Sequence, residues 1–283
     1  MKSNSSNSVS LTTSEAISRA KRLLKKGKDK EAGELYRSVL EADPNNKIAR
    51  KALKKLKVID DPKSYLNQLY SLYQDGKLDQ VIATGKTLLD EFGQDPELHN
   101  AIGVAFKELG DTPSAIEFLK QAVALDPDIP EFHNNLGGAL IEARRYIEAH
   151  GALQEAVRLR SNYAEALCNL GLALCHLEKF CEAEEVLLGA HQLNPDSAII
   201  LFNLGRNAQA AENYVNASDY YSQSVAIKPN FPEAHSNLAV CLTQLRSYPE
   251  AVASHQRALE LRPGNISEFL HAQQRSKEDI NTY

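Results

Sequence analysis

The sequence predicts an all-α protein, a right-handed α-solenoid in which short helices stack in pairs. Two observations predict this fold. Apolar residues recur three, four and seven positions apart over most of the 283-residue chain, which is the spacing of amphipathic helices. A unit of two such helices also repeats every 34 residues. Because one helix pair buries too little apolar surface to be stable alone, the repeated pairs are expected to stack on their neighbours.

The repeating unit is clearest in residues 130–163. His133 and Leu136 fall on one side of a first helix, and Ala149 and Leu153 fall on one side of a second helix. A polar break separates the two patterns. The spacing therefore predicts two helices joined by a tight turn.

Several columns of residues recur at the 34-residue step. The large apolar column in the first helices holds Ile102, Leu136, Leu170, Leu204 and Leu238. A column small enough for two helices to cross closely holds Gly103, Gly137, Gly171, Gly205 and Ala239. A small column in the second helices holds Ala115, Ala149, Ala183, Ala217 and Ala251. Prolines that end the second helices follow at Pro127, Pro195, Pro229 and Pro263.

With these columns the sequence resembles the tetratricopeptide repeat family, whose motif has the same length and the same small and large positions. The resemblance covers residues 62–265 and implies that the first helices line a concave groove. The chain departs from the family in having no Trp, which is usual in the first helix. Its column there is Tyr65, His99, His133, Leu167, Leu201 and His235.

The repeats divide the chain into four parts. We expect a disordered tail at residues 1–12, a basic divergent repeat with a linker helix at 13–61, and a terminal capping helix at 266–283. The departure from the repeat at 58–62 predicts a hinge. The remaining part, between the linker helix and the capping helix, consists of six tandem repeats: 62–95, 96–129, 130–163, 164–197, 198–231 and 232–265.

Apolar stripes predict three helices in the divergent N-terminal part. The first stripe is Ile17, Ala20, Leu23 and Leu24, and the second is Ala32, Leu35, Tyr36 and Val39. The third, in the linker helix, is Ile48, Ala52, Leu53 and Leu56.

Composition and charge narrow the functional classes. No apolar run has the length of a signal peptide or a membrane span, so we expect a cytoplasmic protein that does not enter membranes. The net charge is −5, yet residues 1–57 hold 15 Lys and Arg against 6 Asp and Glu. Such a basic region could bind nucleic acid or an acidic surface. It has only Tyr36 as an aromatic residue for base stacking, so we expect a solvated face instead.

The cysteine and histidine residues do not predict a metal site or a catalytic site. Cys168, Cys175 and Cys181 are spaced more widely than the short cysteine pairs of zinc sites. We expect buried or half-buried thiols, no metal and no cofactor. The histidine column lies on the core face of the first helices, so packing explains it. The Gly85-Lys86-Thr87 sequence lacks the preceding glycine of a phosphate-binding loop.

A column of asparagines is the main candidate for function. The asparagine column consists of Asn67, Asn135, Asn169, Asn203 and Asn237, and only Ala101 interrupts it. It lies opposite the core face of the first helices. Asparagine is a mediocre helix former, so packing does not explain the column, although shared repeat ancestry alone could leave it. An amide both donates and accepts hydrogen bonds, so such a row could bind the backbone of an extended peptide.

This column resembles the asparagine ladder of the O-linked N-acetylglucosamine transferase family. That resemblance implies peptide binding by the column, and it fails at position 101. The same face carries Glu131, Glu142 and the isolated basic residue Arg206. We expect the column to face the groove without a structural partner.

The sequence therefore predicts a non-catalytic scaffold or adaptor that binds an extended peptide segment of a partner protein. Two alternatives remain. The chain could be the substrate-recognition module of a glycosyltransferase-like or other enzyme, although only 18 residues follow Asn265 and we expect no catalytic region in this chain. Alternatively, residues 1–57 could bind nucleic acid or an acidic surface.

Overall fold

The computed structural model describes residues 12–43, 46–56, 63–92 and 94–262. These residues form fifteen α-helices and no strand, which confirms the all-α solenoid. The chain divides between Leu98 and His99 into two compact units. No helix among the described residues is long and apolar enough to cross a membrane.

The first unit contains five complete helices: α1 (Thr13–Leu24), α2 (Asp29–Ala42), α3 (Lys47–Leu56), α4 (Lys63–Gln74) and α5 (Leu78–Phe92). Thr12 caps α1, because its side chain accepts from the Glu15 backbone while the Glu15 carboxylate accepts from the Thr12 backbone over 2.9 Å. Thr12 is therefore a helix cap and not part of a disordered tail. The Gly85-Lys86-Thr87 sequence lies within α5, whereas a phosphate-binding loop would lie between a strand and a helix.

The apolar stripes of α1 and α2 pack as predicted around buried Ala20, Tyr36 and Val39. The predicted face of α3 was wrong at one position. Ile48 is 50% exposed, and Ala49 is fully buried in its place. The core side of α3 thus starts one residue later than predicted, since Ala49 lies three and four residues before Ala52 and Leu53 and packs in the same core as they do.

Ten helices follow, the first of which begins before the division between the units: α6 (Pro96–Glu108), α7 (Thr112–Leu125), α8 (Pro130–Glu142), α9 (Tyr146–Leu159), α10 (Ala164–His176), α11 (Phe180–Leu193), α12 (Ala198–Ala210), α13 (Tyr214–Ile227), α14 (Pro232–Gln244) and α15 (Tyr248–Leu261). From α8 onward each first helix packs on its own second helix, which packs on the next first helix. The first helices α8, α10, α12 and α14 also contact one another in order. They therefore form one continuous layer of the second unit.

The small columns allow the two helices of a repeat to cross closely. A Cβ atom added at Gly137 would lie 2.4 Å from Cγ of the fully buried Leu153, and one added at Gly171 would lie 2.4 Å from Cγ of Leu187. The glycine column is therefore a packing requirement. At Gly205 the neighbour is the ring of Tyr221, which is also fully buried.

The turn inside each repeat uses a left-handed residue. Arg144 has a φ of 58°, its N–H donates to Ile141 O, and the next N–H, of Arg145, donates to Leu140 O over 2.8 Å. This pair of bonds closes the end of α8 as a Schellman motif. The equivalent turn positions are Gly76, Gly110, Glu178, Glu212 and Arg246, all with positive φ. Glycine is replaced by charged residues in the last four repeats.

The histidine column joins loops to first helices, which agrees with its predicted structural role. His133 is buried, and its Nε2 lies 2.8 Å from Pro127 O in the preceding loop. His235 Nε2 lies 3.0 Å from Pro229 O in the same arrangement. These two rings connect α8 and α14 to the end of the repeat before each of them.

Some sequence predictions fall outside the described residues. These are the tail before residue 12, the hinge at 58–62 and the capping helix at 266–283. They stay predictions.

Candidate functional site

The second unit presents one polar surface along its layer of first helices. We call it the first-helix face: the surface of α8, α10, α12 and α14 that carries Asn135, Asn169, Asn203 and Asn237. Asn203 is buried, with 6% exposure, and the other three are half-buried. Asn203 is thus largely shielded from solvent, unlike the other three members of the column in this unit.

Each of these asparagines has a structural partner in the same unit. Asn135 Nδ2 donates to Asn100 Oδ1 over 2.9 Å, and Asn169 Nδ2 donates to Asn134 Oδ1 over 2.9 Å. The partner lies 35 residues earlier in both pairs. One repeat plus one residue places it on the facing side of the preceding first helix. The prediction that the column lacks structural partners in the free protein was wrong.

The pattern continues with a change of acceptor. Asn203 Nδ2 donates to Cys168 Sγ over 3.1 Å, again 35 residues earlier. The corresponding acceptor position for Asn237 is Phe202, which has no side-chain acceptor. Asn237 Nδ2 instead donates to Tyr221 OH over 3.2 Å. The column thus ties successive repeats together by hydrogen bonds between side chains.

These ties use only part of each amide. A primary amide has two N–H donors and an oxygen with two lone pairs, and each inter-repeat bond uses one N–H. Asn135, Asn169 and Asn237 are half-buried, and no other side-chain hydrogen bond of theirs is formed with the residues that the structure describes. The arrangement therefore combines structural support with unused hydrogen-bonding capacity.

Asn67 is the member of the column in the first unit. It lies on α4 and its side chain is exposed. In the repeat that follows, the column is interrupted by Ala101, which is half-buried.

The acidic residues near the column differ in how far they are paired. Glu131 forms an ion pair with Arg160, with 2.6 Å between the atoms, so it is partly neutralised. Glu165 accepts a hydrogen bond from Asn134 over 2.9 Å. Glu142 is exposed, and its pKa lies above the usual range because of partial burial and the neighbouring Glu108 carboxylate. The negative field of this face is therefore weaker than the sequence indicates.

Arg206 contacts His176 of the preceding repeat, and His176 in turn contacts Tyr146 of the repeat before that. Arg206 is half-buried on α12, and its Nη2 lies 3.3 Å from Nε2 of His176. The His176 ring stacks on Tyr146, with 4.3 Å between ring centroids and 8° between planes. The pKa of His176 is lowered by partial burial and by the charges of Arg206 and Arg144. His176 is thus an uncharged acceptor at neutral pH.

The cysteines act mainly as core residues. Cys168, Cys175 and Cys241 are buried free thiols, and burial raises the pKa of each. Cys181 is exposed, so the expectation of at least partial burial was wrong there. Across the described ranges, no three His, Cys, Asp or Glu side chains are arranged to hold a metal ion.

The basic N-terminal face is solvated as far as it is described. Lys21, Lys25 and Lys47 are all exposed, on α1, at its end and on α3. Lys28 is exposed as well and pairs with Glu31 over 2.7 Å. These positions fit a charged solvent-facing surface, and binding of nucleic acid stays untested.

Paired helices that stack on one another, with a polar face along the first helices, define the class of helical repeat scaffolds. Residues 134–198 and 196–266 match one model described as tetratricopeptide repeat, and residues 103–143 match another described as TPR repeat. Together these matches span more than half of the chain. The chain belongs to the tetratricopeptide repeat family, as its repeat columns predicted.

Solved structures show the same fold. PilF of Pseudomonas aeruginosa is 22% identical with a TM-score of 0.63, covering 80% of this chain and 98% of that chain. A tetratricopeptide repeat protein of Parabacteroides merdae is 13% identical with a TM-score of 0.60, covering 94% of this chain and 97% of that chain. YrrB, described as a TPR protein with an unusual peptide-binding site, is 19% identical with a TM-score of 0.51, covering 67% and 97%. No curated protein sequence matches this chain.

Proposed function

We propose that this protein is a non-catalytic scaffold that binds an extended peptide segment of a partner protein on its first-helix face. The fold supports protein–protein interaction in general. We propose in addition that the ligand is an extended peptide and that the asparagine column binds it. The proposed binding residues on this face are Asn135, Asn169, Asn203, Asn237, Glu131, Glu142 and Arg206. Asn67, the member of the same column in the first unit, is proposed separately as a peptide-binding residue of that unit.

The observation that carries the proposal is that several asparagine side chains of the column use only one amide N–H in bonds between repeats. Asn169 spends one N–H on Asn134 Oδ1, which fixes the orientation of its side chain. A side chain already held in place loses less conformational entropy when a ligand binds. Its remaining donor and acceptor match the alternating C=O and N–H groups of a peptide backbone. Asn135 and Asn237 offer the same arrangement, while the burial of Asn203 limits its share.

The space along this face also suits a peptide. A Cβ added at Gly138 would meet nothing within 4 Å, so the backbone of α8 is open to close approach at that point. YrrB, which shares the fold, has a peptide-binding site by its description, and at 19% identity it supports the fold alone.

The test is selection of peptides from a random displayed library on the full-length purified protein. Binding to the backbone predicts two results for a selected peptide. Alanine substitution at most positions should cost little affinity, whereas N-methylation of individual backbone amides should cost several-fold at more than one position. A peptide that depends on its side chains at nearly every position, and tolerates N-methylation throughout, would contradict binding by the asparagine column.

The same surface also supports a second role, which is the alternative that the resemblance to the asparagine ladder suggested. The column would equally serve a substrate-recognition module of an enzyme whose catalytic part lies in another chain. Purification from native extract distinguishes the two. A co-purifying glycosyltransferase activity would favour recognition for an enzyme, and an unmodified partner protein would favour the scaffold.

A further inference from the structure

Arg206 is a cation of the first-helix face that has no carboxylate partner among the described residues. It lies three residues after Asn203 on α12, so it shares the face of the asparagine column. It is half-buried, and within the described ranges it forms no ion pair with a carboxylate. Other arginines of this unit do pair with glutamates: Arg145, Arg158, Arg160, Arg257 and Arg262.

The contacts of Arg206 hold it in place without neutralising it. A guanidinium only donates hydrogen bonds, so in the contact between Arg206 and His176 the Nε2 atom is the acceptor and carries no proton. Tyr146 stacks on that imidazole ring and restricts its position. Three successive repeats therefore contribute one side chain each to a group we call the Arg206 cluster: Tyr146, His176 and Arg206.

The buried ionisable side chains near Arg206 are uncharged. Its charge acts on the buried groups Cys175 and Tyr221, and burial raises the pKa of both, so neither ionises near pH 7. The second nearby cation is Arg144, whose charge reaches His176 and which pairs with no carboxylate of the described residues. The local charge is thus positive on a face whose other charged groups include Glu142 and Glu165.

We infer that the Arg206 cluster binds the side-chain carboxylate of an Asp or Glu within the bound peptide. This inference rests on the proposed function. A guanidinium with at most one N–H engaged can present two parallel donors to a carboxylate, which is the strong geometry for this pair. The neutral His176 holds Arg206 and does not compete for the anion.

An internal side chain fits this position better than a peptide terminus. Asn135 and Asn169 lie in repeats before Arg206, and Asn237 lies in the repeat after it. A peptide ending at Arg206 would leave one side of the column unused. A doubly charged phosphate fits less well than a carboxylate, because Glu142 and Glu165 on the same layer of helices repel added negative charge.

The same face indicates a charge order along the peptide. At the end of α8, Glu142 occupies the position that His176 occupies at the end of α10. His176 is uncharged but accepts a hydrogen bond from Arg206 of α12, so the face changes from the acidic Glu142 at α8 to the basic Arg206 at α12. A bound peptide should place its acidic residue at the Arg206 cluster, and basic residues are tolerated nearer α8.

The experiment uses the full-length protein and a peptide selected by display, with each Asp or Glu changed to Asn or Gln in turn. One such change should weaken binding to the wild-type protein roughly 10-fold to 100-fold, as expected for hydrogen bonds to charged groups. A C-terminal amide should have little effect. If affinity fell when the C-terminus was amidated, and not when an Asp or Glu was changed, the bound carboxylate would be the peptide terminus. That result would overturn the assignment to an internal side chain.

Variants of the protein supply the second arm. Arg206→Gln should remove most of the preference for the acidic peptide over its amide version, while Arg246→Gln, an equal charge change at an exposed turn, should keep it. Equal effects of the two variants, or selected peptides that bind without any acidic residue, would overturn the inference and leave peptide binding standing. Failure to select any peptide would contradict the proposed function as well.

Discussion

Asn169 Nδ2 donates a hydrogen bond to Asn134 Oδ1 over 2.9 Å, joining the first helices of two successive repeats. Asn134 is 2% exposed and in turn donates to Glu165 Oε1 over 2.9 Å. The bonds form a short network between α8 and α10. An amide that looked from the sequence like a pure ligand-binding group is therefore also part of the contact between repeats.

This network predicts a measurable coupling between the two asparagines. Asn169→Ala should lower the free energy of unfolding by about 0.5–1.5 kcal/mol, because one hydrogen bond is lost. Asn134→Ala should cost more, since it removes the acceptor of that bond and a donor to Glu165. The double variant should be only slightly less stable than Asn134→Ala, and urea denaturation of all three measures this. Strict additivity would show that the two side chains do not interact.

A second prediction concerns Gly205. A methyl group there would lie 2.7 Å from two ring carbons of the fully buried Tyr221, so Gly205→Ala should destabilise the protein by about 1–3 kcal/mol. Gly151 is the matched control, because a Cβ added there meets nothing within 4 Å in the helix α9. Gly151→Ala should stabilise by about 0.5–1 kcal/mol through helix propensity. Thermal unfolding of both variants tests the assignment of the glycine column to close packing.

A third prediction uses the left-handed turn. Glu178 has a φ of 60°, which costs a residue with a side chain about 1 kcal/mol relative to glycine. Glu178→Gly should therefore raise stability slightly, by up to about 0.5 kcal/mol, because the greater flexibility of glycine in the unfolded chain offsets part of the relieved strain. Glu185→Gly, at an exposed position inside α11, should lower stability by about 1 kcal/mol. If both variants lowered it equally, the backbone of Glu178 would not be strained.

A fourth prediction concerns the protonation of His176. Its pKa is lowered in the folded protein, so the folded state binds fewer protons there than the unfolded chain does. The stability that this difference contributes is present above the unfolded value of about 6.5 and is lost as pH falls through the folded pKa. An NMR titration should show a pKa below 6.5, which Arg206→Gln raises and Arg246→Gln leaves in place. If the pKa of His176 were unchanged in Arg206→Gln, the charge of Arg206 would not act on His176.

The sequence predicted most of the fold because the repeat imposes the same constraints many times. A single glycine such as Gly137 is ambiguous, but a column of small residues at one step indicates close helix crossing. Where only one element carried the pattern, prediction was weaker. In α3 both Ile48 and Ala49 fit an apolar stripe with Ala52 and Leu53, and one short helix gave no repeated column to decide between them, whereas in the structure Ala49 is the buried residue.

The site was predicted less completely than the fold. The asparagine column was visible, but its partners were not assigned, because they occupy a second column one position earlier that changes chemistry: Asn100, Asn134, Cys168 and Phe202. A step of 35 residues in place of 34 would have linked the two columns. The Arg206 cluster gave no such signal. Tyr146 recurs as Phe180, Tyr214 and Tyr248 at the 34-residue step, but His176 and Arg206 stand at positions whose residue type changes from repeat to repeat.

The central claim, that the asparagine column binds a peptide, is tested most directly by comparing Asn169→Ala with Asn134→Ala. Both variants lose the hydrogen bond between the two side chains, but only Asn169→Ala removes an amide of the column, and Asn134 is too deeply buried to reach a ligand. Isothermal titration with a display-selected peptide should show affinity roughly 2-fold to 10-fold weaker for Asn169→Ala than for Asn134→Ala, even though Asn134→Ala is the less stable protein. Equal affinity in the two folded variants would show that the column serves the contact between repeats and does not bind the peptide.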